Sequence, residues 1–190
     1  MYLRYFTIRL VNIAIQIFLI VFLIKGEFMN LDFASVWEMI SDIIPDNDAL
    51  ICGDEVVTWK EYDNKSSKIA TALSNAGLKA NSKAGLYLNN SNEYLIAQNA
   101  IFKIGGVPIN VNYRYVAEEL IYLLDNSDSE AVFYHACYSD RIKEIANSLP
   151  NIKAWIEISD GTESHFPDAL NYEQLLDSSS PMDRIYRDPE

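Results

Sequence analysis

The chain has 190 residues, of which 49% are hydrophobic and 22% charged, proportions that are ordinary for a globular domain with one sizeable core. Its formal net charge is −12, and the acidic excess lies entirely after Met29, because the residues before it are net positive. This charge argues against a nucleic-acid-binding protein, since repulsion from phosphates would oppose the electrostatic attraction on which such binding depends.

Residues 1–28 differ from the rest of the chain and are predicted to be a hydrophobic leader. The run 6–24 is almost wholly apolar and approaches the roughly 20 residues that a membrane-spanning helix needs. A transmembrane anchor, a secretory signal peptide and a translation start at Met29 are the three alternatives. The leader offers no small-residue cleavage site, and the positive charge at Arg4 and Arg9 would direct the following domain across the membrane.

The pattern after the leader alternates helices with short strands. Apolar residues at helical spacing predict a first helix over residues 33–44, and a small hairpin follows that turns at Gly53-Asp54. Thr58 and Glu61 have the spacing of a capping box, which predicts the start of the next helix, and Gly77 ends that helix.

The remaining elements predict the fold class. Strands are predicted over 84–88, 107–111, 131–134 and 154–158, and helices over 92–104, 117–124 and 138–149. Short apolar strands separated by helices predict a parallel sheet with helices on both faces, a Rossmann-like α/β architecture. In the helix that begins at Asn92, the residues predicted to face inward are Tyr94, Leu95, Ile101 and Ile104. The tail after Ser159 is predicted to be mainly turn and loop.

Glycine, cysteine and histidine residues are the candidates for phosphate binding, thiol chemistry and metal binding. Gly105-Gly106 ends a helix and precedes a strand, the opposite polarity to a phosphate-binding loop, so the pair is predicted to stop the helix. Cys52 and Cys137 lie far apart and are predicted to be buried, reduced thiols. Neither His135 nor His165 has a second histidine or a cysteine at ligand spacing, so no metal site is predicted.

Two strand ends remain open to more than one interpretation. Arg114 follows the carboxyl end of a strand, where open α/β sheets usually bind ligands, and its guanidinium suits a phosphate or a carboxylate. Spacing alone favours an ion pair from Arg114 to Glu118 or Glu119 at the start of the next helix. His135 also follows a strand. A hydrogen-bonding role is favoured over that of a catalytic base, because the sequence indicates no Ser, Cys or Asp partner for it.

The run AIFKIGGVPINVNYRYVAEEL, Ala100–Leu120, resembles the N-terminal half of adenylate-forming enzymes, the acyl-CoA synthetases in particular. The resemblance covers residues 29–190 and includes PDNDALICGDEVVTWKEYD, GLYLNNSNEYL and NYEQLLDSSSP in the expected order. The segments NVNYRY and LLDNSD are most similar to bacterial synthetases of fatty acids or steroid side-chain acids. The resemblance implies that residues 29–190 are the N-terminal portion of an AMP-dependent ligase domain that stops before its phosphate-binding loop.

The resemblance also implies a reaction. Members of that family activate a small-molecule carboxylic acid with ATP and Mg2+, release pyrophosphate and transfer the acyl group to CoA, so ATP, CoA and Mg2+ are implied for a longer parent protein. The Ser/Thr/Gly-rich loop and the catalytic lysines of the family match no position here. The chain alone is therefore expected to be inactive, with no catalytic residue and no bound cofactor.

The family also indicates one candidate site. The segment that matches Asn112, Tyr113 and Arg114 lies beside the CoA channel in family members, so these three are candidate CoA-channel residues. A cytoplasmic location is expected, with membrane association if residues 6–24 form an anchor. The alternative is a non-catalytic, membrane-tethered interaction module that reuses the fold.

Overall fold

A computed structural model describes residues 32–164 and 166–185. The predicted leader, with its apolar run 6–24, lies outside the described residues, as does His165. In chain order the elements are α1 (Phe33–Ile43), β1 (Asp48–Cys52), β2 (Glu55–Thr58), α2 (Trp59–Asn75), β3 (Lys83–Tyr87), α3 (Asn92–Lys103), β4 (Val107–Asn110), α4 (Ala117–Asn126), β5 (Ser129–His135), α5 (Ser139–Ile145), β6 (Ala154–Ile158), β7 (Leu170–Asn171) and α6 (Tyr172–Ser178). In these two ranges, no helix has the length and apolar character needed to cross a bilayer.

The strands form one antiparallel hairpin and one parallel sheet. Strands β1 and β2 pair antiparallel, as predicted, and Gly53 in their turn has a φ of +60°, which glycine adopts without strain. The larger sheet has the order β4-β3-β5-β6-β7, and each neighbouring pair is parallel. The prediction of an α/β fold with a parallel sheet flanked by helices is confirmed.

The core lies on both faces of β5, the central strand. Val132 and Tyr134 pack in a cluster with residues of α4 and α5, and both are fully buried. Ala131 and Phe133 alternate with them and are also fully buried, so they face the opposite side of the sheet. A strand buried on both faces has a nearly continuous apolar sequence, and this run of apolar residues is what predicts the strand.

Local signals fixed two helix ends as predicted. At the start of α2, the Glu61 N–H donates to Thr58 Oγ1 at 3.3 Å, and the Thr58 N–H donates to Glu61 Oε2 at 2.9 Å. After α3, Gly105 has a φ of +71°, and the Gly106 N–H donates to the Ile101 carbonyl at 2.8 Å. The glycine pair therefore stops the helix and turns the chain directly into β4.

A group of charges, the Lys103 cluster, joins three helices to the C-terminal segment; it is buried at Lys103 and Glu38 and exposed at Asp42 and Arg184. Lys103 Nζ lies 2.7 Å from Glu38 Oε1 of α1 and 2.6 Å from Asp63 Oδ1 of α2. Arg184 makes a bidentate pair with Asp42, at 2.6 and 2.9 Å, and its guanidinium is 3.3 Å from Asp63 Oδ2. Hydrogen bonding from Arg184 lowers the pKa of Asp42, although partial burial opposes the shift. The cluster thus couples α1, α2 and α3 electrostatically.

The inward face of α3 is displaced from the prediction. Ile101 and Ile104 are buried as expected, but Tyr94 is only half-buried and Leu95 is exposed. The fully buried face instead runs through Ile96, Ala97, Ala100, Ile101 and Ile104. The prediction for Leu95 is wrong because its side chain lies at the margin of the buried face, one position before Ile96.

Two predicted segments have a different local structure. The single helix predicted over 138–149 is the short α5, with 3-10 turns at Ala136–Tyr138 and Ala146–Ser148 on either side. The tail predicted as mainly turn and loop contains β7 and α6. Asn171 begins α6 by accepting the Gln174 N–H at 2.8 Å, a capping pattern that the sequence contained and that was missed.

Candidate functional site

The carboxyl ends of the parallel strands meet at one edge of the sheet, which we call the carboxyl edge. The loops on this edge are 88–91 after β3, 111–116 after β4, 136–138 after β5 and 159–162 after β6. Strand order reverses around β3, because β4 lies on one side of it and β5 on the other. Open α/β sheets bind ligands at such a switch point, outside the carboxyl ends of the strands.

Hydrogen bonds join the loops after β3 and β5 across the switch point. The Asn89 N–H donates to His135 Nδ1 at 3.1 Å, and the Tyr138 hydroxyl donates to Asn89 Oδ1 at 3.1 Å. His135 is buried, and an imidazole that accepts at Nδ1 carries its proton on Nε2. Burial lowers the pKa of His135, although the Asp160 and Glu93 carboxylates oppose this shift. His135 is thus a hydrogen-bonding residue at a strand end, the role that the sequence favoured.

The lowered pKa of His135 predicts a specific pH dependence of stability. The unfolded chain binds a proton at His135 more readily than the folded chain does. The free energy of unfolding should therefore fall as the pH drops below about 6.5, the pKa of an unfolded histidine, and the fall should end at the lower pKa of the folded state. His135→Gln should show a smaller loss between about pH 7.5 and 5.5 in urea unfolding. His165→Gln is the control, and it should lose as much stability over this pH range as the unaltered chain does through His135. An unchanged pH dependence in His135→Gln would contradict the prediction.

The three candidate CoA-channel residues lie together in an exposed turn, the 112–115 turn. The Arg114 N–H donates to Asn112 Oδ1 at 3.0 Å, and the Tyr115 N–H donates to the Asn112 carbonyl at 3.0 Å. Asn112, Tyr113 and Arg114 are all exposed, and the Arg114 guanidinium lies 5.4 Å from the centre of the Tyr113 ring. The side chain of Arg114 is therefore stacked and accessible on the carboxyl edge.

The alternative role of Arg114, an ion pair at the start of α4, is absent. Glu119 accepts the Val116 N–H at 2.9 Å, and so stabilises the first turn of α4 instead. Across the part of the chain that the structure describes, the Arg114 guanidinium has no carboxylate at ion-pair distance. As far as the described residues go, the Arg114 guanidinium is thus available to an external anion.

The inner side of the same turn is held by residues that the sequence did not single out. The Tyr115 carbonyl accepts Arg141 Nη1 at 2.8 Å and the Tyr87 hydroxyl at 3.1 Å. Arg141 Nη1 also donates to the Tyr87 hydroxyl, and the Tyr87 ring packs on Tyr138 with 4.5 Å between centroids. Tyr87 belongs to β3, Arg141 to α5 and Tyr138 to the 3-10 turn before α5, so only the three-dimensional fold brings them together.

The prediction that both cysteines are buried is wrong. Cys52 ends a strand of the small hairpin, which leaves it exposed, and Cys137 is exposed in the 3-10 turn after β5. Both are free thiols. Partial burial of the sulfur raises the pKa of Cys137 to about 11, and the adjacent Asp160 carboxylate acts in the same direction. Cys137 is therefore protonated at neutral pH and is a poor nucleophile.

The AMP-binding enzyme family matches residues 42–189, which include every loop of the carboxyl edge. The chain belongs to this family. A relative in Mycobacterium marinum, a medium/long-chain-fatty-acid–CoA/3-oxocholest-4-en-26-oate–CoA ligase, is 37% identical over 156 residues, 80% of this chain and 28% of the relative. A 3-oxocholest-4-en-26-oate–CoA ligase of Rhodococcus rhodochrous is 36% identical over 155 residues, 80% of this chain and 28% of the relative.

Solved structures of a CoA ligase and a CoA synthetase have the same fold as this chain. An anthranilate CoA ligase in complex with anthranoyl-AMP matches with a TM-score of 0.74 at 18% identity, over 81% of this chain and 29% of that one. Acetoacetyl-CoA synthetase from Streptomyces lividans matches with a TM-score of 0.73 at 22% identity, over 83% of this chain and 26% of that one. This AMP-binding family member thus spans 28% of the length of the curated relatives described above.

A magnesium site needs oxygen ligands that converge on one point. Among the residues that the structure describes, no group of three or more His, Cys, Asp or Glu side chains lies close enough to hold a metal ion. The acidic residues of the Lys103 cluster are paired with Lys103 and Arg184.

Proposed function

We propose that this chain is the N-terminal portion of a cytoplasmic ATP-dependent carboxylate–CoA ligase that acts on a fatty acid or a steroid side-chain acid. The identities of 36–37% to ligases of these acids support the substrate class. In such a reaction the acid attacks ATP and releases pyrophosphate, and the thiol of CoA then displaces AMP from the acyl-adenylate. The chain contributes the scaffold and one wall of the CoA channel to this reaction.

The observation that carries the proposal is the exposed 112–115 turn at the carboxyl edge. Its arginine is accessible and free of an intramolecular carboxylate partner within the described ranges. A guanidinium of this kind suits the phosphate groups of CoA, because it can donate two parallel hydrogen bonds to one phosphate. Asn112 and Tyr113 would place polar and aromatic surface beside the pantetheine chain. No observation on the described residues favours the membrane-tethered alternative.

The test is to sequence the DNA beyond the codon for Glu190 and to express the complete reading frame that contains this chain. The expressed protein should catalyse ATP–pyrophosphate exchange that depends on added fatty acid or 3-oxocholest-4-en-26-oate, and it should form the corresponding CoA thioester. The 190-residue chain, assayed in parallel, should show no acid-dependent exchange, since no Ser/Thr/Gly-rich loop occurs in its sequence. Exchange by the 190-residue chain, or none by the complete reading frame, would contradict the proposal.

A further inference from the structure

The 112–115 turn is exposed on its outer side, but one backbone atom on its inner side, the Tyr115 carbonyl oxygen, is held by two donors. Val111, just before the turn, donates its N–H to the Leu86 carbonyl of β3 at 3.2 Å. Val116, just after it, is held through Glu119 at the start of α4. Between these two fixed points, Arg141 and Tyr87 supply the contacts to the turn from other elements.

The two donors also constrain each other. Arg141 Nη1 bonds both to the Tyr115 carbonyl and to the Tyr87 hydroxyl, so the three groups form a closed triangle of hydrogen bonds. The Tyr87 side chain is fully buried and packed on Tyr138, which leaves its hydroxyl little freedom. Arg141 is half-buried in the first turn of α5, where its planar guanidinium reaches both acceptors at once.

We propose that Arg141 is a positioning residue that holds the 112–115 turn in the conformation that binds CoA. This inference rests on the proposed ligase function. Without Arg141, the Tyr115 carbonyl loses its charged donor and the turn samples other conformations. CoA binding then has to order the turn, which weakens the affinity for CoA. The side chain of Arg141 is directed to the turn's backbone, so its effect on CoA is indirect and differs from that of the accessible Arg114.

The experiment compares Arg141→Gln, Arg141→Lys and Tyr87→Phe, with Lys143→Gln as the matched control. Lys143 is an exposed cation on the same helix, so its loss removes an equal charge without touching the turn. Hydrogen exchange in the 190-residue chain should become at least about tenfold faster for the amides of residues 114–116 in Arg141→Gln. Tyr87→Phe, which keeps the buried ring, should loosen the same amides, and Arg141→Lys should restore part of the protection.

In the protein encoded by the complete reading frame, Arg141→Gln should raise the KM for CoA by about tenfold. This is the usual size of effect when a charge-assisted hydrogen bond is lost. The change in kcat should be much smaller. Lys143→Gln should match the unaltered protein in both measurements. Unchanged exchange at residues 114–116, or an unchanged KM for CoA in an active enzyme, would overturn the inference and leave the proposed function standing. If the protein encoded by the complete reading frame shows no acid-dependent ATP–pyrophosphate exchange, the proposed function is refuted instead. The link between this turn and CoA then falls with it.

Discussion

Replacing Lys103 with methionine is expected to lower the free energy of unfolding of the chain by about 3–5 kcal/mol, the usual effect of removing one partner from a buried ion pair. Lys103 is 2% exposed and lies between Glu38, which is 6% exposed, and Asp63. Methionine fills a similar volume but leaves both carboxylates without the cation between them. Urea unfolding monitored by circular dichroism gives the measurement.

The matched control is Lys60→Met, since Lys60 is an exposed lysine in the first turn of α2. Its effect should stay within about 0.5 kcal/mol. The double variant Lys103→Met/Glu38→Gln separates lost charge pairing from lost packing, because a neutral amide needs no cation. It should be more stable than Lys103→Met alone. If Lys103→Met and Lys60→Met are equally stable, the Lys103 cluster does not contribute to stability as described.

Replacing Phe133 with alanine should lower the free energy of unfolding by about 3–5 kcal/mol, because the change leaves a cavity in a closely packed core. Phe133 is fully buried in the central strand β5, where it lies between Leu86 of β3 and Ile156 of β6 in the sheet register. The measurement is again chemical unfolding of the 190-residue chain. A milder variant, Phe133→Leu, should lose less than about 1.5 kcal/mol and keeps the comparison measurable if the alanine variant does not fold.

The matched control for Phe133 is the same substitution at an exposed position. Phe33 is 65% exposed and stacks on Phe102 with 5.2 Å between ring centroids. The Phe33 ring also lies 6.0 Å from that of Trp37, and each aromatic pair contributes about 0.5–1.5 kcal/mol, so Phe33→Ala should cost about 1–2 kcal/mol. Equal losses from Phe33→Ala and Phe133→Ala would show that β5 is not the centre of the core.

The features predicted correctly are those that short stretches of sequence encode. The apolar strands, the capping box of Thr58 and Glu61, and the glycine stop after α3 each depend on residues within a few positions of one another. The start of α6 at Asn171 belongs to this class too, and its capping pattern could have been recognised.

The contacts that were not predicted join distant parts of the chain. Lys103 lies 65 residues from Glu38 in sequence, and Arg141 lies 54 residues from Tyr87. No local periodicity indicates which buried cation meets which carboxylate, or which helix reaches the 112–115 turn. The candidate residues Asn112, Tyr113 and Arg114 came from the family resemblance, and their role in the CoA channel remains a prediction.

The register of β4 has a consequence for how the sheet meets other polypeptides. Strand β4 pairs with β3 alone among the described strands, and the N–H groups of Val107 and Val111 on either side point towards β3. By alternation the nitrogen of Pro108 points away from β3, to the side where a further strand would have to bond. Proline has no N–H to donate there, so a further strand that paired with β4 would lack one of its backbone hydrogen bonds. The proline at this position therefore disfavours the pairing of a further strand with this edge of the sheet, the kind of pairing from which strand exchange and aggregation begin.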